Sequence, residues 1–149
     1  MRQKLLFVIN AKAGTGQIKN HLLSIIDRFI AREYDVEVYT TQTAKDATRM
    51  AHEKGARFDL LLCSGGDGTL NEIVNGLMML SDHRPLIGYI PAGATNDFAI
   101  NLYEDQDVMK IARSILNGCE LPCDIGRFND QHFIYCAAFG AFALTSYET

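Results

Sequence analysis

The chain has 149 residues, of which 48% are hydrophobic, and this length allows one sizeable core but not two full domains. Its 14 basic and 18 acidic residues give a formal charge of −4 without long runs of one sign, which argues against a nucleic-acid-binding surface or an extended basic patch for an anionic membrane. No apolar stretch approaches the roughly 20 residues that a membrane-spanning helix needs, so we expect a soluble protein of the cytoplasm.

The first part of the chain alternates between apolar runs and amphipathic segments. Residues 5–9 form an unbroken apolar run that is typical of a strand buried on both faces of a sheet. After a glycine-rich turn, apolar residues recur at helical spacing from Ile18 to Phe29, which predicts a long amphipathic helix. Further strands are predicted at residues 36–39, 60–63 and 86–90, and further helices at residues 44–54, 69–80 and 108–116. Gly55, after the second helix, is suited to a left-handed C-terminal cap.

This alternation predicts the fold class. Parallel strands need crossover connections, because a short turn cannot return the chain to the same end of the sheet. We therefore expect residues 1–120 to form an α/β domain, with a doubly wound, mainly parallel sheet and helices on both faces. Beyond it, residues 124–128 and 132–136 are typical of antiparallel strands around an Asn129-Asp130 turn. We expect residues 121–149 to be the first strands of a β-rich second domain.

A glycine-rich turn follows the third predicted strand, where residues 64–69 read Ser-Gly-Gly-Asp-Gly-Thr. Without side chains, a polyphosphate can approach main-chain N–H groups closely, and a helix that starts near Thr69 adds the positive end of its dipole. The alternative is a tight turn that uses glycine only for its torsion angles. Asp67 favours the first interpretation, because a carboxylate beside a bound anion is repulsive unless a cation lies between them. The turn therefore predicts a phosphate site, with Asp67 as a ligand or outer-shell partner of Mg²⁺.

Three other loops follow strands and share the same edge of the predicted sheet. They carry Asn10, Thr41 and the segment 91–98. Ligands of open α/β sheets bind in the crevice at this edge, so four loops are expected to converge on one ligand. Two familiar nucleotide motifs are absent: Lys19 stands where a dinucleotide fingerprint needs its third glycine, and the Gly-Lys-Ser or Gly-Lys-Thr of a P-loop does not occur.

Over essentially its whole length, the chain resembles the diacylglycerol kinase catalytic domain family, which includes sphingosine, ceramide and bacterial lipid kinases. Residues 66–76, Gly-Asp-Gly-Thr-Leu-Asn-Glu-Ile-Val-Asn-Gly, look like the family signature, and residues 91–99 are similar to its Asn-Asp-Phe-Ala loop. Together with the turn at residues 64–69, this resemblance implies a set of ATP contacts. They are Asn10, Ala11, Lys12, Ala13, Gly14, Thr41, Gly65, Gly66, Asp67, Gly68, Thr69, Leu70, Asn71, Glu72, Ala94, Thr95 and Asn96.

The resemblance also implies that aspartates organise magnesium and water near the phosphates. The matching positions are Asp67, Asp97 and Asp124, with Asp67 and Asp97 as the catalytic candidates. Capping of the short helix that follows Asp97 is an equal alternative for that residue. The sequence departs from the family at Ala94, where a threonine usually contacts the nucleotide, and residues 11–13 lack the usual Pro and Ser. Either Thr95 substitutes, or ATP binding is weakened about two- to tenfold.

By the same resemblance, the expected activity is transfer of the γ-phosphate of ATP to a lipid alcohol such as diacylglycerol. The enzyme is expected to reach this lipid peripherally, at a membrane surface. The acceptor and general base of the family involve a larger β-sandwich. We expect most of that sandwich to be missing, the fragment alone to be inactive, and the open edges of its strands to favour a homodimer. Two alternatives remain: a soluble-metabolite kinase of the NAD kinase or phosphofructokinase type, and a nucleotide-binding module without catalysis.

Overall fold

The computed structural model describes residues 2–14, 16–118 and 120–135. The predicted alternation of strands and helices is confirmed, with one additional turn of 3-10 helix (Gly55–Arg57) after the second helix. In chain order the elements are β1 (Gln3–Ile9), α1 (Ile18–Ile30), β2 (Tyr34–Thr40), α2 (Asp46–Lys54), β3 (Leu60–Gly65), α3 (Asp67–Met78), β4 (Leu86–Pro91), α4 (Asp97–Leu102), α5 (Val108–Asn117), β5 (Gly126–Phe128) and β6 (Gln131–Phe133).

The first four strands form one parallel sheet in the order β2-β1-β3-β4. Phe7 of β1 lies opposite Val38 of β2 on one side and Leu62 of β3 on the other. The two central strands are buried along most of their length, which explains their unbroken apolar runs. The chain winds outward from β1 to β2 and then in the other direction through β3 and β4, so the sheet is doubly wound as predicted. This reversal opens a crevice at the carboxyl ends of β1 and β3.

Side chains alternate along each central strand between two apolar layers. Leu6 and Val8 of β1 face a layer covered by α2 and α3, whereas Leu5, Phe7 and Ile9 face a layer covered by α1 and α5. Helices therefore cover both faces of the sheet, as the sequence predicts. In the described ranges, none of the helices combines the length and the apolar character needed to cross a bilayer.

Two glycines allow α2 and α3 to pack closely. A Cβ atom at Gly76 of α3 would lie 2.3 Å from the carbonyl oxygen of Thr48 on α2. A Cβ atom at Gly55 would lie 2.7 Å from Leu77 Cδ2. Gly55 has φ −50°, so the prediction of a left-handed cap there is wrong. Glycine at this position permits the close contact with α3 and is not required by an unusual torsion angle.

The predicted hairpin is present, although its strands are shorter than expected. β5 and β6 are antiparallel, with Gly126 opposite Phe133 and Phe128 opposite Gln131. The turn between them contains Asn129, whose φ of 53° is left-handed, as the Asn-Asp turn predicts. Residues 124 and 125 precede the ladder rather than joining it, and residues 136–138 lie outside the described residues. The domain boundary at residue 120 stays a prediction.

Candidate functional site

Four connections meet at the carboxyl edge of the sheet: the β1–α1 loop (residues 10–17), the β2–α2 loop (residues 41–45), the glycine turn (residues 64–68) and the β4–α4 loop (residues 92–96). Asn10 joins the first of these to the glycine turn and α3. Its main-chain N–H donates to the Ser64 carbonyl oxygen at 2.8 Å, and its Nδ2 donates to Thr69 Oγ1 at 3.1 Å. Two predicted site residues, Asn10 in the β1–α1 loop and Thr69 in α3, are therefore in direct contact.

The three glycines of the glycine turn have different environments. A Cβ atom at Gly65 would lie 2.6 Å from Thr69 Oγ1, and one at Gly66 would lie 3.4 Å from Gly93 Cα in the β4–α4 loop. A Cβ atom at Gly68, by contrast, would meet no atom within 4 Å. None of the three has a positive φ, so the alternative that they serve only left-handed torsion angles is wrong. Packing therefore requires glycine at Gly65, whereas it leaves Gly66 and Gly68 without a structural reason.

The glycine turn leads directly into α3, whose N-cap is Gly66 with an extended backbone. The predicted start at Thr69 is two residues too late, because Asp67 and Gly68 already belong to the first helical turn. The first N–H groups of a helix have no partners within it, and they concentrate positive potential at its end. Since Gly68 is exposed and has no side chain, an anion can approach the main chain at this end of the helix.

Asp67 has a structural role that the sequence did not predict. Its Oδ2 accepts the Asp97 N–H at 2.9 Å and its Oδ1 accepts the Phe98 N–H at 3.3 Å, so this carboxylate caps α4. The N-cap position itself belongs to Asn96, with φ 54°, and its carboxamide exchanges two 2.8 Å hydrogen bonds with the main chain of Gly93. The alternative that Asp97 caps α4 is therefore wrong.

A magnesium site is not preassembled from acidic side chains. Among residues 2–14, 16–118 and 120–135, no three His, Cys, Asp or Glu side chains form a group that could hold a metal ion. Asp124 is exposed in the segment before β5, and the three predicted aspartates make no such cluster. Magnesium in nucleotide sites is usually held by one or two carboxylates together with substrate phosphates and water. Asp67, beside the glycine turn, fits that donor set, so magnesium binding stays a prediction.

A cleft of about 250 Å³ lies between the β1–α1 loop, the β2–α2 loop and α3. Its lining residues are polar except for Ala44 and come from three elements. They are Asn10, Lys12, Thr41, Gln42, Thr43, Ala44, Thr69 and Glu72. Five of these eight belong to the predicted ATP contacts, whereas residues 42–44 were missed. The only sequence signal for these three was their position directly after Thr41 at the carboxyl end of β2.

The β2–α2 loop is held in place by the buried carboxylate of Asp46. Its oxygens accept the Tyr39 hydroxyl at 3.0 and 2.9 Å, the Gln42 N–H at 2.9 Å and the Arg49 guanidinium at 2.6 Å. The Gln42 N–H, followed by Arg49, holds the pKa of Asp46 below its ordinary value. The hydrogen bond to Asp46 raises the pKa of Tyr39. Asp46 is therefore a charged anchor beneath one wall of the cleft.

Glu72 supports the same loop from α3. Its Oε1 accepts the Lys45 N–H at 3.0 Å, and Lys45 has a left-handed backbone with φ 63°. The main-chain carbonyl of Glu72 also accepts the Thr48 hydroxyl at 3.0 Å. This predicted ATP contact thus lines the cleft and stabilises an unusual conformation of its wall.

Tyr89 supports the glycine turn from the core. Its buried hydroxyl donates to the Gly65 carbonyl oxygen at 3.2 Å. Burial raises the pKa of Tyr89 well above its ordinary value, and the charge of Asp67 adds to the rise. The phenol therefore remains protonated and stays a donor. Tyr103 extends this support, because its hydroxyl donates to the Tyr89 carbonyl at 2.8 Å and burial raises its pKa to about 12.

The remaining predicted ATP contacts do not line the cleft and have different settings. Leu70 is only 2% exposed within the core, and its N–H donates to the Gly66 carbonyl. Gly14 has φ 52°, and a Cβ atom there would lie 2.3 Å from the Ala92 carbonyl oxygen, so the β1–α1 loop packs on the β4–α4 loop. The other side chains are partly or fully exposed; they belong to Ala11, Ala13, Asn71, Ala94 and Thr95.

Comparisons with known proteins agree with this architecture. The diacylglycerol kinase catalytic domain family matches residues 4–128. A diacylglycerol kinase of Bacillus subtilis (strain 168) is 41% identical over 143 residues, covering 95% of this chain and 47% of the relative. A diacylglycerol kinase of Staphylococcus aureus (strain bovine RF122 / ET3-1) is 37% identical over 153 residues, covering 100% of this chain and 47% of the relative.

A solved structure gives the same result at the level of the fold. The crystal structure of a diacylglycerol kinase from Bacillus anthracis str. Sterne superposes with a TM-score of 0.78 at 35% identity, covering 88% of this chain and 45% of that one. The chain spans about half the length of the curated relatives it matches. With its parallel sheet, its glycine turn and the match over residues 4–128, the chain belongs to the diacylglycerol kinase catalytic domain family.

Proposed function

We propose that this chain is the ATP-binding part of a lipid kinase that transfers the γ-phosphate of ATP to a lipid hydroxyl such as that of diacylglycerol. The family match and the relatives named diacylglycerol kinase support a kinase of this type. In this proposal, the triphosphate lies against the glycine turn and the start of α3, and the rest of the nucleotide extends toward the cleft at the β2–α2 loop. In this proposal, the kinase is a cytoplasmic enzyme that meets its lipid acceptor peripherally at a membrane surface.

The observation that carries the proposal is the empty space around Gly68. Its Cβ position is free of neighbours within 4 Å, although it lies in the first turn of a helix. Glycine in a helix is less favourable than alanine by about 1 kcal/mol, so packing permits alanine there and backbone propensity favours it. A ligand that lies against the main chain at Gly68 explains why a side chain is absent.

Phosphoryl transfer mainly requires positioning and neutralisation of charge. The first-turn N–H groups of α3 bind phosphate oxygens, Lys12 in the cleft lining adds a positive charge, and the Asn10–Thr69 contact keeps the two loops in register. In this proposal, Asp67 would hold magnesium, which when bound would offset the phosphate charge. Asp97, the first residue of α4, is the second catalytic candidate. The acceptor hydroxyl is that of the lipid, and its general base is expected in the β-rich second domain.

The experiment is Gly68→Ala, which separates ligand binding from folding. We expect the free energy of unfolding to be unchanged or raised by up to about 1 kcal/mol. We expect affinity for magnesium ATP, measured by titration calorimetry, to fall about tenfold or more, because the methyl group blocks approach to the main chain. Asn20→Ala, at an exposed site in the first turn of α1, is the matched control and should leave ATP binding unchanged. Equal ATP affinity in Gly68→Ala and the original chain would contradict the proposed site.

A further inference from the structure

The second half of the signature, residues 73–76, does not line the cleft. Ile73 and Val74 are buried, and Gly76 allows α2 to approach α3. Asn75 is different, because its carboxamide bonds to the hairpin. Its Nδ2 donates to the His132 carbonyl oxygen at 2.9 Å, and its Oδ1 accepts the His132 N–H at 2.8 Å. A side chain on α3 therefore pairs with both main-chain groups of one residue in β6.

The orientation of this carboxamide is fixed by a third hydrogen bond. Nδ2 of Asn75 also donates to the Asn71 carbonyl oxygen at 2.9 Å, one helical turn earlier. Exchanging the amide nitrogen and oxygen would place an acceptor against two carbonyl oxygens and a donor against an N–H group. The three partners thus specify a single arrangement, and both amide hydrogens are used.

His132 presents these groups because of its place in the hairpin. It lies opposite Arg127 of β5, between the pairs that Phe128 and Gly126 form with Gln131 and Phe133. In a two-residue hairpin, successive antiparallel pairs alternate between hydrogen-bonded and non-hydrogen-bonded pairs, so the main-chain groups of His132 point to the outer edge of β6. The carboxamide of Asn75 fills the place that another strand would take.

Apolar packing accompanies these hydrogen bonds. Ile134, just after β6, packs against the apolar layer that α2 and α3 share. A Cβ atom at Gly126 would lie 2.2 Å from the Phe133 ring, so that ring packs against the main chain of Gly126 within the hairpin. The Ile134 contact therefore holds the hairpin against the layer that α2 and α3 share, although its strands have only three residues each.

We propose that Asn75 is a positioning residue that docks the β5–β6 hairpin onto α3, so that this hairpin and the glycine turn form one rigid unit. Asn75 lies eight residues after Asp67, about 12 Å along the helix. Ligand binding at the start of α3 is thereby transmitted to the hairpin. The docking follows from the structure, whereas the link to ATP rests on the proposed function. The outer edge of β6 is also closed at His132, which leaves these groups unavailable for the homodimer predicted from open strand edges.

The docking is tested by amide hydrogen exchange, followed by NMR, on the chain without nucleotide. We expect exchange at His132 to become about tenfold faster or more in Asn75→Ala, while amides in β1 and β3 keep their protection. His132→Ala should leave exchange at position 132 near its original rate, because His132 contributes only main-chain atoms to the contact. Asn20→Ala, on the exposed side of α1, is the matched control and should leave exchange at His132 unchanged. Unchanged protection of His132 in Asn75→Ala, with β1 and β3 intact, would overturn the docking role.

The coupling is tested by repeating the measurement with magnesium ATP. In the original chain, ATP should shift the amide signals of residues 66–69 and slow exchange at His132 by about threefold or more. In Asn75→Ala, the shifts at residues 66–69 should remain and the effect at His132 should disappear. Shifts at residues 66–69 without any change at His132 in the original chain would overturn the coupling. Absence of all shifts would instead contradict the proposed ATP site, and the nucleotide-free result for the docking would stand.

Discussion

The two walls of the crevice are built in different ways. On one side, the glycine turn and the β4–α4 loop meet main chain to main chain, because Gly66 and Gly93 approach too closely for a side chain on Gly93. On the other side, the β2–α2 loop is held by the carboxylates of Asp46 and Glu72. A contact between main chains fixes a position within narrow limits, whereas contacts made by side chains can adjust by rotation. The first wall should therefore tolerate substitution poorly, and the second should change gradually.

The largest effect is expected for Gly93→Ala. The added methyl group would lie 2.6 Å from Gly66 Cα, an atom that cannot move without displacing the glycine turn. We expect a loss of about 2 kcal/mol in the free energy of unfolding, as for other overpacked sites. Urea denaturation measures it, with Gly68→Ala as the same substitution in open space. If Gly93→Ala unfolds at the same urea concentration as the original chain, the close contact between the two loops is not rigid.

A smaller effect is expected for Asp67→Asn, which keeps the shape of the cap but removes its charge. Only one of the two oxygens that accept the Asp97 and Phe98 N–H groups remains, so we expect a loss of about 1 kcal/mol in unfolding free energy. If Asp67 also holds magnesium, ATP affinity should fall in the presence of magnesium more than in its absence. An equal fall with and without magnesium would show that Asp67 acts only through the cap of α4.

The difference between the walls also explains what could be predicted from the sequence. The fold was accessible, because apolar runs and helical spacing report directly on burial in a two-faced parallel sheet. The glycine turn was accessible because glycine is a local mark of close approach by main chain or ligand. The capping role of Asp67 was not, since Asp97 and Phe98 lie 30 and 31 residues away. Nothing in the local sequence shows which distant N–H group a carboxylate will reach.

The β2–α2 loop was missed for a related reason. Gln42, Thr43 and Ala44 are ordinary polar or small residues, and only the position of β2 in the sheet brings them to the cleft. Their anchor, Asp46, lies in the first turn of the helix predicted at residues 44–54, and nothing in the sequence marks it as buried. Its burial depends on Tyr39 and Arg49 closing over it, which is a tertiary event. Glu72 was predicted only through the family signature, and its contact with Lys45 joins residues 27 positions apart.

The smallest effect on ATP binding is expected for Asp46→Asn, since it loosens the wall without touching the glycine turn. Asparagine offers one acceptor where the carboxylate serves Tyr39, Gln42 and Arg49. We expect ATP affinity to fall about two- to fivefold, within the range of a single neutral hydrogen bond. Glu53→Gln is the matched control, because Glu53 binds the same arginine at an exposed position. A tenfold or larger loss of ATP affinity in Asp46→Asn would mean that this wall is as rigid as the other.

The pH dependence of stability provides a second test of the Asp46 anchor. The pKa of Asp46 is lowered in the folded chain from its ordinary value of 3.8 by the Gln42 N–H and then by Arg49. A carboxylate with a lowered pKa stabilises the folded state fully above the unfolded value, and this contribution is lost as the pH falls through the folded value. The stability difference between the original chain and Asp46→Asn should therefore be constant from neutral pH down to about 5 and shrink below about 4. Urea midpoints measured across this range test it, because a difference that does not change with pH would mean that the shape of the side chain, and not its charge, anchors the loop.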